Sequence, residues 1–286
     1  MQHFDVMFLG YGSISSELVS VLLEQDQSIC VVTNTQYRKI PSLSLSKSKL
    51  VFYSWASFQA VAISVPTIIV AWRGIPEASE GFDDLMITLK SKLYNSERII
   101  HLSSASVYQG GAQSFKEEAF DITTHELVNT KQCLEGFLAN FADSLEANLT
   151  NLRIANVYGN NSDVGFINSS LKRIWSGQVI TVFNEVDLIR DYLHLKDLVW
   201  AVTELQKLEF LPSSINISTS LGVPISKLVD IFQQNLKQPV EIERIHVEPQ
   251  LIYRSILDCV RLGELIHWAP NSVEESLPQM IKELGI

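Results

Sequence analysis

The chain has only three cysteines, Cys30, Cys133 and Cys259, far apart and without CxxC spacing. That pattern excludes a disulfide framework and a cysteine zinc site from the expectation, and the three read as small buried hydrophobes. Basic charge is scarce as well: 22 Lys+Arg against 32 Asp+Glu give a formal net charge of −10. A sequence-blind grip on nucleic acid depends on clustered lysine and arginine, so nucleic acid is not an expected partner, and anionic membrane surfaces are disfavoured for the same reason. Long apolar runs are missing too. The most apolar later stretch, Ala60 to Trp72, is too short to span a bilayer and is broken by Pro66. It reads as a buried strand and its approach. The N-terminus carries Asp5 among its first apolar residues and no basic flank, so it reads as a first strand rather than a secretory signal, and a cytoplasmic protein is expected. No internal repeat or low-complexity linker separates the chain into parts.

What is present is 286 residues, 46% of them hydrophobic and 19% charged, enough for a sizeable core. Up to about residue 155, short β-rich apolar runs alternate with segments of helical period, the pattern of a parallel sheet covered by helices. Strands are expected at Val6 to Leu9, Ile29 to Thr33, Leu50 to Tyr53, Ile68 to Ala71, Ile99 to Leu102 and Leu152 to Ala155. A helix is expected from about Thr124 to Phe141, with Leu127, Leu134, Leu138 and Phe141 on one side. Beyond Tyr158 the alternation loosens. The expected fold is therefore α/β: a Rossmann-type doubly wound parallel sheet over 1–157, with a smaller mixed α/β substrate region over 158–286, interwoven with the first. The segment PISKLVDIFQQNL in this second part reads as a helix with proline at its start.

The first strand runs into Gly10-Tyr11-Gly12-Ser13-Ile14-Ser15 and then a helix-compatible run through Leu23. This is GxGxxS, with Ser15 where a third glycine is usual. The first glycine permits a tight turn, the second lets the backbone approach a pyrophosphate, and the exposed N–H groups at the helix start favour its charge. The serine costs some closeness between helix and strand but can cap or hydrogen-bond. At the end of the second strand, where NAD-preferring sites carry an acidic residue, the chain reads Thr33-Asn34-Thr35, with Arg38 and Lys39 close behind. Hydroxyls, an amide and a guanidinium suit a 2′-phosphate that a carboxylate would repel, which favours NADP over NAD.

The segment IIHLSSASVYQG resembles the fifth strand and active-site serine of extended short-chain dehydrogenases, the family of sugar-nucleotide epimerases and dehydratases. LRIANVYG resembles their LRxxNVYG, and the stretch ending RDYLHLKDLVWAV resembles RDxxHVxDxxxA. INISTSLGVPISKLVDIF and the tail LDCVRLGELIHWAPNSVEESL resemble later family segments in the expected order. In that family a Ser or Thr, a Tyr and a Lys act together: tyrosinate is the acid/base, the lysine lowers its pKa and binds ribose, and the serine hydrogen-bonds the reacting oxygen. By this resemblance Ser104 is the serine, and Lys131 the lysine, because KQCLE from Lys131 to Glu135 reproduces the family's KxxxE.

The tyrosine position, four residues before Lys131, is Leu127. Leucine cannot carry a proton. His125 lies two positions from Leu127, on roughly the opposite face of the expected helix, and Tyr108 is a cleft tyrosine of the packing or substrate-contact kind. A literal YxxxK at Tyr192 to Lys196 falls inside the RDYLHLKD segment and reads as a coincidence. Sugar 4,6-dehydratases carry an Asp-Glu pair after the active-site hydroxyl residue, where this chain has Ala105-Ser106, so dehydration is disfavoured.

For substrate, the resemblance implies a nucleotide sugar: Asn156 matches an asparagine that contacts it, and Arg190 an arginine that holds its diphosphate. Arg254 is a weaker match to a second phosphate arginine, and His194 reads as structural. Trp55, Trp72 and Trp268 read as core or cleft-lining bulk. Two functions follow. One is an NAD(P)-dependent epimerase or reductase with Ser104 and Lys131 kept; the other is a catalytically inactive dinucleotide-binding or partner protein of the same fold. The resemblance also implies a homodimer through the catalytic helix.

Overall fold

The structure, a computed structural model, describes residues 1–34, 49–77, 80–108, 111, 113–120, 129–159, 165–183, 187–236, 241–246 and 253–285. Its largest sheet has seven strands in the spatial order Ser214–Ile217, Asn148–Ile154, Arg98–Ser104, Thr67–Val70, Val6–Leu9, Ile29–Val32, Leu50–Tyr53. Pairing is parallel from Arg98–Ser104 across to Leu50–Tyr53. Strands such as Ile29–Val32 and Thr67–Val70 are buried at every position, which is why they read as continuous apolar runs rather than alternating ones. The expected Rossmann-type sheet is present, with strand ends displaced by a few residues.

Contacts divide the chain into two compact units, Met1–Val107 with Asp121–Arg153 and Gln206–Ile215, and Tyr108–Phe120 with Ile154–Leu205 and Asn216–Ile286. In the first, Met7, Leu9, Val32, Ile68 and Val70 of the sheet pack with Phe82, Leu85, Leu134 and Leu138 of the helices Phe82–Lys92 and Thr130–Leu145. In the second, the strand Ile189–His194 pairs antiparallel with Gly222–Pro224 and parallel with Asn156–Tyr158 and Arg254–Ser255. Its core joins Ile167, Leu171, Leu228, Phe232, Leu277 and Ile281. Pro224 is the N-cap of the helix Ile225–Asn235, as the proline at the start of that segment suggested.

One expected element is corrected. A helix unbroken from Thr124 to Phe141 does not form, because Asn129 is extended at φ −140 and ψ 161 and is the N-cap of a helix Thr130–Leu145. Its side-chain oxygen accepts from the Lys131 and Gln132 N–H groups, both at 3.0 Å, satisfying two donors a helix start leaves open. Alignment of Leu127 with Lys131 on one helix face, with His125 opposite, requires helix through residue 129. Leu127 and His125 themselves lie outside the described residues.

Cys30 and Cys259 are buried and Cys133 is partly exposed, all as free thiols. Among the described residues no helix is long and apolar enough to cross a membrane, and no group of His, Cys, Asp or Glu is arranged to hold a metal ion.

Candidate active site

Strand register brings most of the candidate residues of the first unit to one edge. Leu9 is level with Val32 on one side and Val70 on the other, and Val70 with His101. Gly10, Thr33 and Ala71 therefore leave the carboxyl ends of three adjacent strands together, and Ser104 projects two residues beyond their level. From Val6–Leu9 the chain winds outward to Ile29–Val32 and Leu50–Tyr53, then returns on the other side with Thr67–Val70. The winding reverses between Val6–Leu9 and Thr67–Val70, the place where open α/β sheets take ligands.

Gly10 has φ +96, and a Cβ there would lie 3.1 Å from Trp72 Cδ1 and 3.3 Å from the Ala71 carbonyl oxygen. Both the conformation and the packing require glycine. Gly12, at φ −125, is the N-cap of the helix Ser13–Glu24, and a Cβ there would meet nothing within 4 Å. Ser13 and Ile14 open this helix. Ser15 is buried and forms a reciprocal pair with Gly12: its hydroxyl accepts the Gly12 N–H at 2.6 Å and donates to the Gly12 carbonyl at 3.2 Å. It thus caps the turn and occupies one of the first donors. Thr33 is buried and Asn34 exposed just past the second strand; Arg38 lies outside the described residues.

Ser104 ends its strand half-buried, and its Oγ accepts from the Ser106 N–H at 3.2 Å and pairs with the Ser106 hydroxyl at 3.1 Å. The helix start is fastened to the turn that follows. Asn129 Nδ2 donates to the Ser106 carbonyl at 3.1 Å and Gln132 Nε2 to the Val107 carbonyl at 2.7 Å. Lys131, the next residue but one after the cap, donates from Nζ to the Trp72 carbonyl at 3.2 Å. Burial lowers its pKa, the charge of Arg73 lowers it further, and the Glu135 carboxylate opposes both. Asn129 and Gln132 were not singled out in the sequence, although Asn129-x-x-Gln132 has capping-box spacing, and Trp72 reads there only as core or cleft-lining bulk.

The remaining candidates belong to the second unit. Asn156 is exposed on its strand, and its Nδ2 donates to the Asp191 carbonyl at 2.9 Å, next to Arg190. Arg190 is half-buried, with Nη1 donating to the Ile189 carbonyl at 2.9 Å and the Tyr253 carbonyl at 3.2 Å. The Asp191 carboxylate is engaged elsewhere. It accepts from Thr219 N at 3.0 Å, Thr219 Oγ1 at 2.8 Å and Leu257 N at 3.4 Å. Asp187 accepts from the Ser226 N–H and hydroxyl. Arg254 is half-buried beside Ile189, its Nε without a hydrogen-bond partner among the described residues.

Tyr108 is buried, its ring stacked on Phe115 at 4.9 Å and its hydroxyl donating to Asn216 Oδ1 at 2.7 Å. As placed it supports the fold around Asn216, whose N–H donates to Glu117 at 2.8 Å. His194 packs edge-on to Tyr158, and its Nδ1 accepts from Lys196 N at 3.2 Å. Tyr192 is buried on a strand whereas Lys196 is in the helix Leu195–Gln206, so their YxxxK spacing is not a helical pair.

Residues 80–217, just under half of the chain, match the model of the NAD dependent epimerase/dehydratase family. Over this stretch the chain is similar to that family. The matched segment contains Ser104, Lys131, Asn156 and Arg190, and the glycine turn precedes it. A dTDP-4-dehydro-6-deoxyglucose reductase of Escherichia coli is 25% identical over 197 residues, 66% of this chain and 61% of that protein. The match thus spans less than two thirds of that relative's length. Solved structures that share the fold include an epimerase and a dehydratase. The UDP-glucose 4-epimerase of Thermotoga maritima, solved with UDP-glucose, is 21% identical with a TM-score of 0.77 over 98% of both chains. The dTDP-glucose 4,6-dehydratase of Bacillus anthracis, solved with NAD, is 15% identical with a TM-score of 0.78 over 98% of this chain and 96% of that one. Reductase, epimerase and dehydratase all appear among these likenesses, so the fold does not select the reaction.

Proposed function

We propose that this protein binds NADP in preference to NAD and is an oxidoreductase or epimerase acting on a nucleotide sugar. The observation that carries the reading is Lys131, held at the Trp72 carbonyl on the edge where Gly10 turns the chain. The residues present fit a dinucleotide. No protein atom demands glycine at position 12, so close approach of a pyrophosphate supplies the requirement, and the N–H groups of Ser13 and Ile14 open the helix beside it. Thr33 and Asn34 put no carboxylate at the end of the second strand, and Arg38 supplies the charge for a 2′-phosphate.

When bound, the dinucleotide supplies hydride exchange with a sugar carbon. Ser104 would donate a hydrogen bond to the reacting oxygen, and Lys131 would bind the ribose. Asn156 orients the nucleotide sugar and Arg190 neutralises its diphosphate. Leu127 carries no proton, so another group or a water moves it. Ala105-Ser106 after Ser104 favours reduction or epimerisation over water elimination.

The test is consumption of NADPH with dTDP-4-dehydro-6-deoxyglucose, together with interconversion of UDP-glucose. Turnover on either supports the reading. Leu127 favours one other reading, an inactive dinucleotide-binding protein, for which both assays are silent, NADPH still binds, and Leu127→Tyr gains turnover.

A further inference from the structure

Ser104 and Lys131 are each the neighbour of a residue in a buried polar network. Glu135 is fully buried, one helical turn after Lys131 and on the same side of the helix Thr130–Leu145. Its carboxylate accepts the Ser103 hydroxyl at 2.5 Å, and from Arg153 it accepts Nε at 3.2 Å and Nη2 at 2.9 Å. Ser103 and Arg153 are buried on adjacent strands, so one carboxylate binds a helix to two strands. Two residues before Ser103, on the same face, buried His101 is held at 2.8 Å by Asn151 of the neighbouring strand.

Burying the Glu135–Arg153 pair is a weak source of stability, because desolvating both charges offsets their attraction, and apolar side chains of similar volume would pack the helix on the sheet equally well. What such side chains lack is direction. Apolar contacts tolerate a helix sliding along a strand, whereas a 2.5 Å hydrogen bond fixes the position of Glu135 against Ser103. Ser103 precedes Ser104 on a rigid strand, and Glu135 follows Lys131 by one turn of a rigid helix.

We infer that Ser103 and Glu135 are positioning residues, whose hydrogen bond sets where Lys131 stands relative to Ser104 and thereby the affinity for the dinucleotide. The inference rests on the reading of Lys131 as a dinucleotide contact. The caps at Asn129 and Gln132 hold the first turn of the helix; the Ser103–Glu135 bond holds the second.

The experiment is fluorescence titration with NADPH of the full chain and its variants, at a temperature where circular dichroism shows each to be folded. Ser103→Ala is expected to weaken NADPH binding by about fivefold or more, the worth of a typical hydrogen bond, and Ser103→Thr, which keeps the hydroxyl, to stay within about twofold of wild type. Should Ser103→Ala not fold, Ser103→Cys keeps the volume, loses most of the bond, and is expected to show the same weakening. An alanine or cysteine variant that binds NADPH as tightly as wild type overturns the inference, as does a loss that Ser103→Thr shares. Lys131→Met separates the inference from its premise: unchanged NADPH affinity there removes the reading of Lys131, whereas weakened binding there with unchanged Ser103→Ala removes the positioning role alone.

Discussion

Gly10 and Trp72 meet at the reversal of the sheet's winding, where a Cβ on residue 10 would come within 3.1 Å of the indole Cδ1. Gly12, two residues on, faces no protein atom within 4 Å. The two glycines therefore answer to different masters, the first to the fold and the second to the proposed cofactor. Gly10→Ala is expected to cost about 2–4 kcal/mol, from a left-handed alanine and an overpacked indole. Gly12→Ala is expected to keep wild-type stability and lose NADPH affinity. Urea unfolding and NADPH titration of both variants check this; a Gly12→Ala protein that binds normally removes the pyrophosphate from that turn.

Tyr108 gives its hydroxyl to Asn216, and Tyr108→Phe leaves that buried acceptor unsatisfied. The expected cost is about 1–3 kcal/mol of stability, with turnover retained. Loss of turnover with unchanged stability would instead make Tyr108 the proton donor that Leu127 is not.

His101 is fully buried, and burial pushes its pKa down from 6.5 to about 4, the Asn151 hydrogen bond opposing and the Lys131 charge assisting. The native state keeps the ring neutral over a range in which the unfolded chain takes up a proton. Its contribution to stability is therefore full above pH 6.5 and lost as pH falls towards 4. The size is at most about 3 kcal/mol. Urea midpoints across that range should fall less steeply for His101→Asn than for wild type; equal slopes would show that the imidazole does not govern acid sensitivity.

Much of this architecture is legible in the sequence because parallel strands buried on both faces must be continuously apolar, as ICVV and TIIV are. The glycine turn is equally legible, since the chemistry of position 10 is local. The helix start is not legible because Leu127 continues an apolar period past Asn129, and the cap that breaks it is a matter of two hydrogen bonds from backbone N–H groups to the Asn129 side chain. The network of Ser103, Glu135 and Arg153 could not be read at all. Its members lie on three elements, and nothing in a one-dimensional spacing tells a carboxylate which strand it will face. Tyr108 was placed by its neighbours in VYQG, while its partner Asn216 lies more than a hundred residues away.

The most direct measurement is native mass spectrometry of the purified protein in an equimolar mixture of NADP and NAD. One dinucleotide per chain is expected, NADP predominating, with the adduct lost in Gly12→Ala. A wild-type spectrum in which neither dinucleotide adds mass would contradict it.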